Sequence, residues 1–182
     1  MKSIIPCMAA AALLLVGCGK NNAQVEQDPA PAPVDPAQAT ALAAVVGQSV
    51  PEAEQMAIPA IKPTAEVGQS ITLEGKVMGT AEPFVNNRAV MIIGDEKTIT
   101  SCDLIPEDEC ETPWDVCCDD PDTIQAGTAT IQVVGEDGKP LQTGLKGVSG
   151  LTELSRVRVS GIVAEGSTPE LLIVNAGAIE VR

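Results

Sequence analysis

From Glu66 to Val181 the chain is written in short apolar runs of four to eight residues, and turn residues separate them. Within a run, apolar and polar side chains mostly alternate, which places the apolar ones on one face of a β-strand. Ile71, Leu73 and Val77 share a face in the first run, with Gly75 at a position suited to a bend. Ala89 to Ile93 is a short, nearly continuous apolar strand. Thr128 to Val134 turns Ala129, Ile131 and Val133 inward, and Arg156 to Val163 does the same with Val157, Val159 and Val163. Leu171 to Val174 and Ala178 to Val181 form a final strand or pair, kinked at Gly177. Glu136-Asp-Gly-Lys139 is a hairpin signal, because Asp-Gly accepts positive φ. An amphipathic helix of normal length is not evident after residue 65. One small all-β domain over 66–182 is the expectation.

The composition narrows the chemistry. The chain has no histidine and no tyrosine, one Phe (Phe84) and one Trp (Trp114). Without histidine, Ser-His-Asp and Cys-His catalysis within the chain are excluded, and so is the commonest metal ligand. A core must be built from Val, Ile, Leu and Ala. Base-stacking platforms are missing, and a formal charge of −14 repels phosphate backbones. Nucleic acid is therefore not an expected partner. A hydrolase working through Asp and Glu alone ranks last, since no spacing singles out an acid/base pair.

Five main strands, a first strand bent at Gly75, and Val157-Arg-Val-Ser-Gly-Ile-Val163 leading to a last strand resemble the OB-fold. That resemblance implies a five-stranded, partly open Greek-key barrel over roughly Ser70 to Val181. A small β-sandwich is the alternative. The usual oligonucleotide function does not carry over, because its basic groove and aromatics have no counterpart here. The barrel is then a scaffold for another site.

The N-terminus gives an address. Lys2 precedes an apolar run from Ile4 to Val16, and small residues follow, which is the pattern of a secretory signal peptide. The run is too short to span a bilayer, which needs about 20 residues. Leu15-Val-Gly-Cys18 resembles the lipobox of bacterial lipoproteins. The resemblance implies cleavage after Gly17, a diacylglyceryl group on the Cys18 thiol and acylation of the new amino group. Cleavage removes Lys2 and no acidic residue, so the formal charge falls from −14 to −15. Gly19, rather than Asp, after the lipidated residue implies an outer-membrane position facing the periplasm. Residues 1–17 are thus read as signal peptide and 18–65 as lipidated N-terminus and tether. Gln27 to Pro36 is rich in Pro and Ala and should be extended; Ala37 to Val46 can form a short helix.

Residues 95–127 are read as an acidic, Cys-rich insertion between strands. It carries Cys102, Cys110, Cys117 and Cys118, and no Lys or Arg occurs from Thr98 to Gly138. Its Thr112-Pro-Trp-Asp-Val-Cys-Cys118 portion resembles a segment of uncharacterised bacterial envelope lipoproteins, a resemblance that brings no activity with it. In an oxidising compartment four cysteines favour two disulfides. Bonding Cys117 to Cys118 would close a strained ring, so Cys102 and Cys110 would each take one of the neighbours. Such a staple is worth roughly 2–4 kcal/mol, with Trp114 as the loop's miniature core. The alternative is a four-cysteine site for zinc, copper(I) or an iron–sulfur cluster. Its ligand count fits, but Cys-x7-Cys-x6-Cys-Cys lacks the usual Cys-x2-Cys knuckle. A dithiol redox role would need nearby positive charge, and the surroundings are negative. Glu107, Asp108, Glu109, Glu111, Asp115, Asp119, Asp120 and Asp122 offer oxygen ligands, but the register of a calcium loop is absent.

The functional expectation is a non-enzymatic, membrane-anchored lipoprotein without a cofactor, acting as a binding or assembly module of the cell envelope. Its partners would be the membrane, through the lipid, and an envelope protein. A metal-binding or redox lipoprotein is the alternative.

Overall fold

A computed structural model describes residues 35–51, 55–107 and 109–182. The segment read as a signal peptide, Cys18 and the Pro/Ala run up to Val34 lie outside the described residues. No helix among the described residues is long and apolar enough to cross a membrane.

Five strands close into a barrel: β1 (Ser70–Lys76), β2 (Val90–Gly94), β3 (Thr128–Gln132), β4 (Arg156–Val163) and β5 (Ile173–Val181). Around the barrel the order is β1-β2-β3-β5-β4. Every neighbour pair is antiparallel except β3 and β5, which run parallel. The fold is a small all-β, OB-like barrel, and the closed ring replaces the two-sheet sandwich held open above. The β1–β2 seam holds one paired position, Lys76 opposite Gly94, so the ring is thinnest where the insertion leaves it.

Period-2 patterning does what it predicts. Ile71, Leu73, Val77, Ala129, Ile131, Val133, Val157, Val159 and Val163 are all buried in one aliphatic core. At the turn 135–138, Gly138 takes φ 74° and its N–H donates to the Gly135 carbonyl at 3.0 Å. The kink expected at Gly177 is a β-bulge. Ser160 pairs with Ala178 but Gly161 pairs with Ala176, so β5 carries one extra residue there. Gly161 is held so close to β5 that a Cβ on it would sit 2.4 Å from the Asn175 carbonyl oxygen.

Part of the segment read as tether packs on the barrel. Helix α1 (Pro36–Ala43) starts with Pro36 at N1 and is capped by Asp35, whose Oδ1 accepts the Ala37 N–H at 2.9 Å. Its Leu42 is buried, as are Val46, Ile58 and Ile61, and all four join the barrel core. Ile58 to Ile61 forms the short helix α2. Main-chain bonds fasten the stretch laterally: Gly47 N–H to Ile179 O at 2.7 Å, and Met56 N–H to Thr72 O at 3.1 Å. The described part of the tether is therefore a strap, and the core reaches back to Leu42 rather than beginning near Glu66. Leu42 and Val46 stand four apart and Ile58 and Ile61 three apart, but each pair is too short a pattern among alanines and prolines to mark a buried face.

Candidate four-cysteine site

The insertion leaves the barrel at the end of β2 and returns at the start of β3, and the two ends are pinned together. Asp95 N–H donates to Gly127 O at 2.8 Å. Asp95 Oδ1 accepts from Lys97 N–H (2.9 Å) and Thr98 Oγ1 (3.2 Å), which turns the chain back over the barrel end. At the far end, α3 (Pro121–Gly127) supplies a short helix within the predicted loop. Pro121 stands at N1, and Asp120 caps it by accepting from Thr123 N–H at 3.0 Å. Asp120 has its carboxyl lowered by the Thr123 hydroxyl and main-chain bonds.

Between these ends, two stretches run side by side. Cys102 N–H donates to Asp115 O (2.9 Å) and Asp103 N–H to Pro113 O (2.8 Å). Residues 102–104 form a 3-10 turn anchored from below by Lys76 of β1. The Lys76 ammonium, itself buried, donates to Ser101 Oγ at 2.8 Å and to both Asp103 oxygens at 3.1 and 3.2 Å. Burial would raise the Asp103 carboxyl, but hydrogen bonds from Ser101 and Lys76 and the Lys76 charge bring it below its ordinary value. Asp103 thus holds the Cys102 turn to the barrel as a carboxylate.

The Thr-Pro-Trp-Asp-Val-Cys-Cys stretch is shaped by its own residues. Asp115 N–H closes a turn on Thr112 O at 2.9 Å. Trp114 Nε1–H donates to Ala81 O at 2.8 Å, and its ring packs on a small cluster of Met78, Ile99 and Val116, joined by Ile124. The expected miniature core exists, but it lies between loop and barrel. Val116 points into it, and Asp119 N–H bonds back to Val116 O at 3.0 Å. That turn leaves Cys117 and Cys118 exposed beside the buried Cys102. Replacing Trp114 with Phe keeps an aromatic ring, of smaller area, on the cluster and loses the bond to Ala81. The expected cost is about 1–3 kcal/mol from the lost bond and the lost packing together, read as a lower urea midpoint by circular dichroism; an unchanged midpoint would mean the indole does not hold the loop to the barrel.

The Sγ atoms of Cys102, Cys117 and Cys118 all lie within 4.8 Å of one another. Cys102 and Cys117 are 3.8 Å apart. Cys110 is half-buried, with its sulfur 3.4 Å from Thr112 Oγ1, and it is close enough for its charge to act on Cys117. No two of the four sulfurs are at the roughly 2.05 Å of a disulfide. The contact with Cys102 favours the Cys117 thiolate. Desolvation, the hydrogen bond and charge of Cys118 and the charge of Cys110 outweigh it, so the Cys117 thiol stands above its ordinary value. Several thiols crowd one spot, and a cation placed among them would favour their thiolate forms.

The acidic residues do not gather in the same way. Asp115 Oδ1 accepts from Val116 N–H (2.8 Å), Asp119 Oδ2 accepts from Thr100 N–H (2.7 Å), and Asp120 caps α3. Asp108 lies outside the described residues. Among the described residues Cys102, Cys117 and Cys118 form a group of potential metal ligands, and neither Cys110 nor any carboxylate belongs to it. The Lys76–Ser101–Asp103 network is the part of the site the sequence reading missed. Its one signal was a lysine inside the first strand, opposite a stretch from Thr98 to Gly138 without any basic residue.

No known family model matches the chain, and no curated protein matches it either.

Proposed function

We propose that the chain is a lipid-anchored protein of a bacterial cell envelope whose barrel is a non-catalytic scaffold presenting the 95–127 insertion as a binding site. The observation that carries the site is the convergence of Cys102, Cys117 and Cys118 from two separate turns, each independently fastened to the barrel. The barrel interior is filled by aliphatic side chains, so the working surface lies outside it. The anchor rests on Leu15-Val-Gly-Cys18, and Gly19 favours the outer membrane facing the periplasm. Two acyl signals hold a protein stably on a membrane, which one does not. A partner in the envelope would meet a strongly acidic face, so a basic surface suits it best.

Cys18→Ser tests the anchor. The wild-type chain is expected to incorporate labelled palmitate and to sediment with membranes, and the variant to do neither. A wild-type chain that takes no label and stays in the soluble fraction contradicts the reading.

A further inference from the structure

We propose that Cys102, Cys117 and Cys118, completed by Cys110, form a tetrahedral thiolate site for zinc(II). The inference rests on the insertion being the binding site and names what it binds. Spacing is the first argument. Four sulfurs about 2.3 Å from a central zinc stand about 3.8 Å from each other along a tetrahedral edge. The Cys102–Cys117 separation is 3.8 Å, and the Cys118 sulfur is within 4.8 Å of both. A disulfide needs about half that distance.

Support is the second argument. Metal sites depend on residues that hold the ligands in place. Lys76 and Asp103 fix the turn carrying Cys102, and Trp114 and Val116 fix the turn carrying Cys117 and Cys118. Three donors are therefore positioned by the fold before any ion arrives. Access is the third. Cys102 forms the buried floor while Cys117 and Cys118 face solvent, which leaves a route in. Charge is the fourth: no Lys or Arg occurs between Thr98 and Gly138, and the Lys76 ammonium beneath the Cys102 turn is paired with Asp103, so the acidic insertion favours a cation. Binding replaces each thiol proton with a sulfur–metal bond and releases the proton to solvent. No electron changes hands.

The test uses the full chain, isolated without oxygen and stripped of metal, titrated with cobalt(II) as a spectroscopic probe. The expected result is a thiolate-to-cobalt charge-transfer band with the visible bands of tetrahedral cobalt. It should saturate at one ion per chain and be bleached by zinc(II). Cys118→Ser removes an exposed ligand and is expected to weaken cobalt binding at least tenfold. Cys102→Ser should abolish the spectrum, but Cys102 is buried, so the Cys118 variant decides the matter if the former does not fold. Three results overturn the proposal: cysteines that resist alkylation until reduced, as two disulfides would; a chain that takes up copper(I) but neither cobalt nor zinc; and a cobalt spectrum indifferent to Cys118→Ser. Membrane sedimentation is read on the same preparation. Sedimentation without a cobalt spectrum defeats the metal site alone, and a spectrum without sedimentation defeats the anchor alone.

Discussion

The Lys76→Ala chain is expected to lose about 2–4 kcal/mol of stability and to release the turn that holds Cys102. The ammonium is buried, with a side chain 5% exposed, and Asp103 opposite it is 28% exposed. Removing the cation leaves a carboxylate and the Ser101 hydroxyl without the donor they were arranged around. Breaking a fully buried pair in this way costs about 3–5 kcal/mol. The partial exposure of Asp103 lets water replace some of the loss, which lowers the expected figure. The reverse case separates charge from packing. Removing both charges, with Lys76→Met and Asp103→Asn together, should recover part of the stability, because no unpaired ion then remains. Urea denaturation followed by circular dichroism measures both variants. A Lys76→Ala chain within 0.5 kcal/mol of the wild type, the range of an ordinary surface change, would show that the network does not hold the turn. Cobalt binding should weaken in step, since Cys102 loses its floor.

Gly161→Val is expected to cost about 3 kcal/mol or more, because β4 and β5 cannot part without opening the barrel. Even a bare Cβ would lie 2.4 Å from Asn175 O and 3.0 Å from Asn175 C, both main-chain atoms, with Val174 Cγ1 at 2.8 Å. Overpacking a flexible side chain costs about 1–3 kcal/mol, and an immovable backbone puts this site at the upper end. Gly177, which makes the bulge in the partner strand, is the control. The nearest atom to a Cβ there is Ser160 O at 3.8 Å, an ordinary contact, so Gly177→Ala should be tolerated within about 0.5 kcal/mol. Equal losses at the two glycines would mean that strand separation is not what Gly161 prevents.

The barrel was legible because its strands obey a period. Leu73, Ile131 and Val159 alternate with outward residues, and such a pattern buries one face wherever the strands are placed. Strand order was reachable only through resemblance, since nothing in a single strand says that β3 and β5 run parallel. The strap was not legible. Leu42, Val46, Ile58 and Ile61 are scattered among Ala and Pro, and their burial depends on a barrel formed by residues far along the chain. Gly177 was read as a kink, and the bulge appears only when its partner Gly161 is known.

At the site, the sequence named the four cysteines and could not say how they meet. Cys102 reaches Cys117 because the stretch 102–103 pairs with 113–115 through main-chain bonds. That pairing has no residue signature, and a spacing rule built on Cys-x2-Cys knuckles passes over it. The Trp114 contact with Ala81 and the Lys76 contact with Asp103 join loop to barrel across long sequence separations, beyond any local pattern. Parity and compartment pointed to disulfides, whereas the sulfur separation points to a thiolate site.

X-ray absorption at the zinc edge of the zinc-loaded full chain tests that central claim most directly. A thiolate site held by Cys102, Cys110, Cys117 and Cys118 predicts a shell of four sulfurs at about 2.3 Å. A shell of oxygen or nitrogen at about 2.0–2.2 Å, with fewer than three sulfurs, would contradict it.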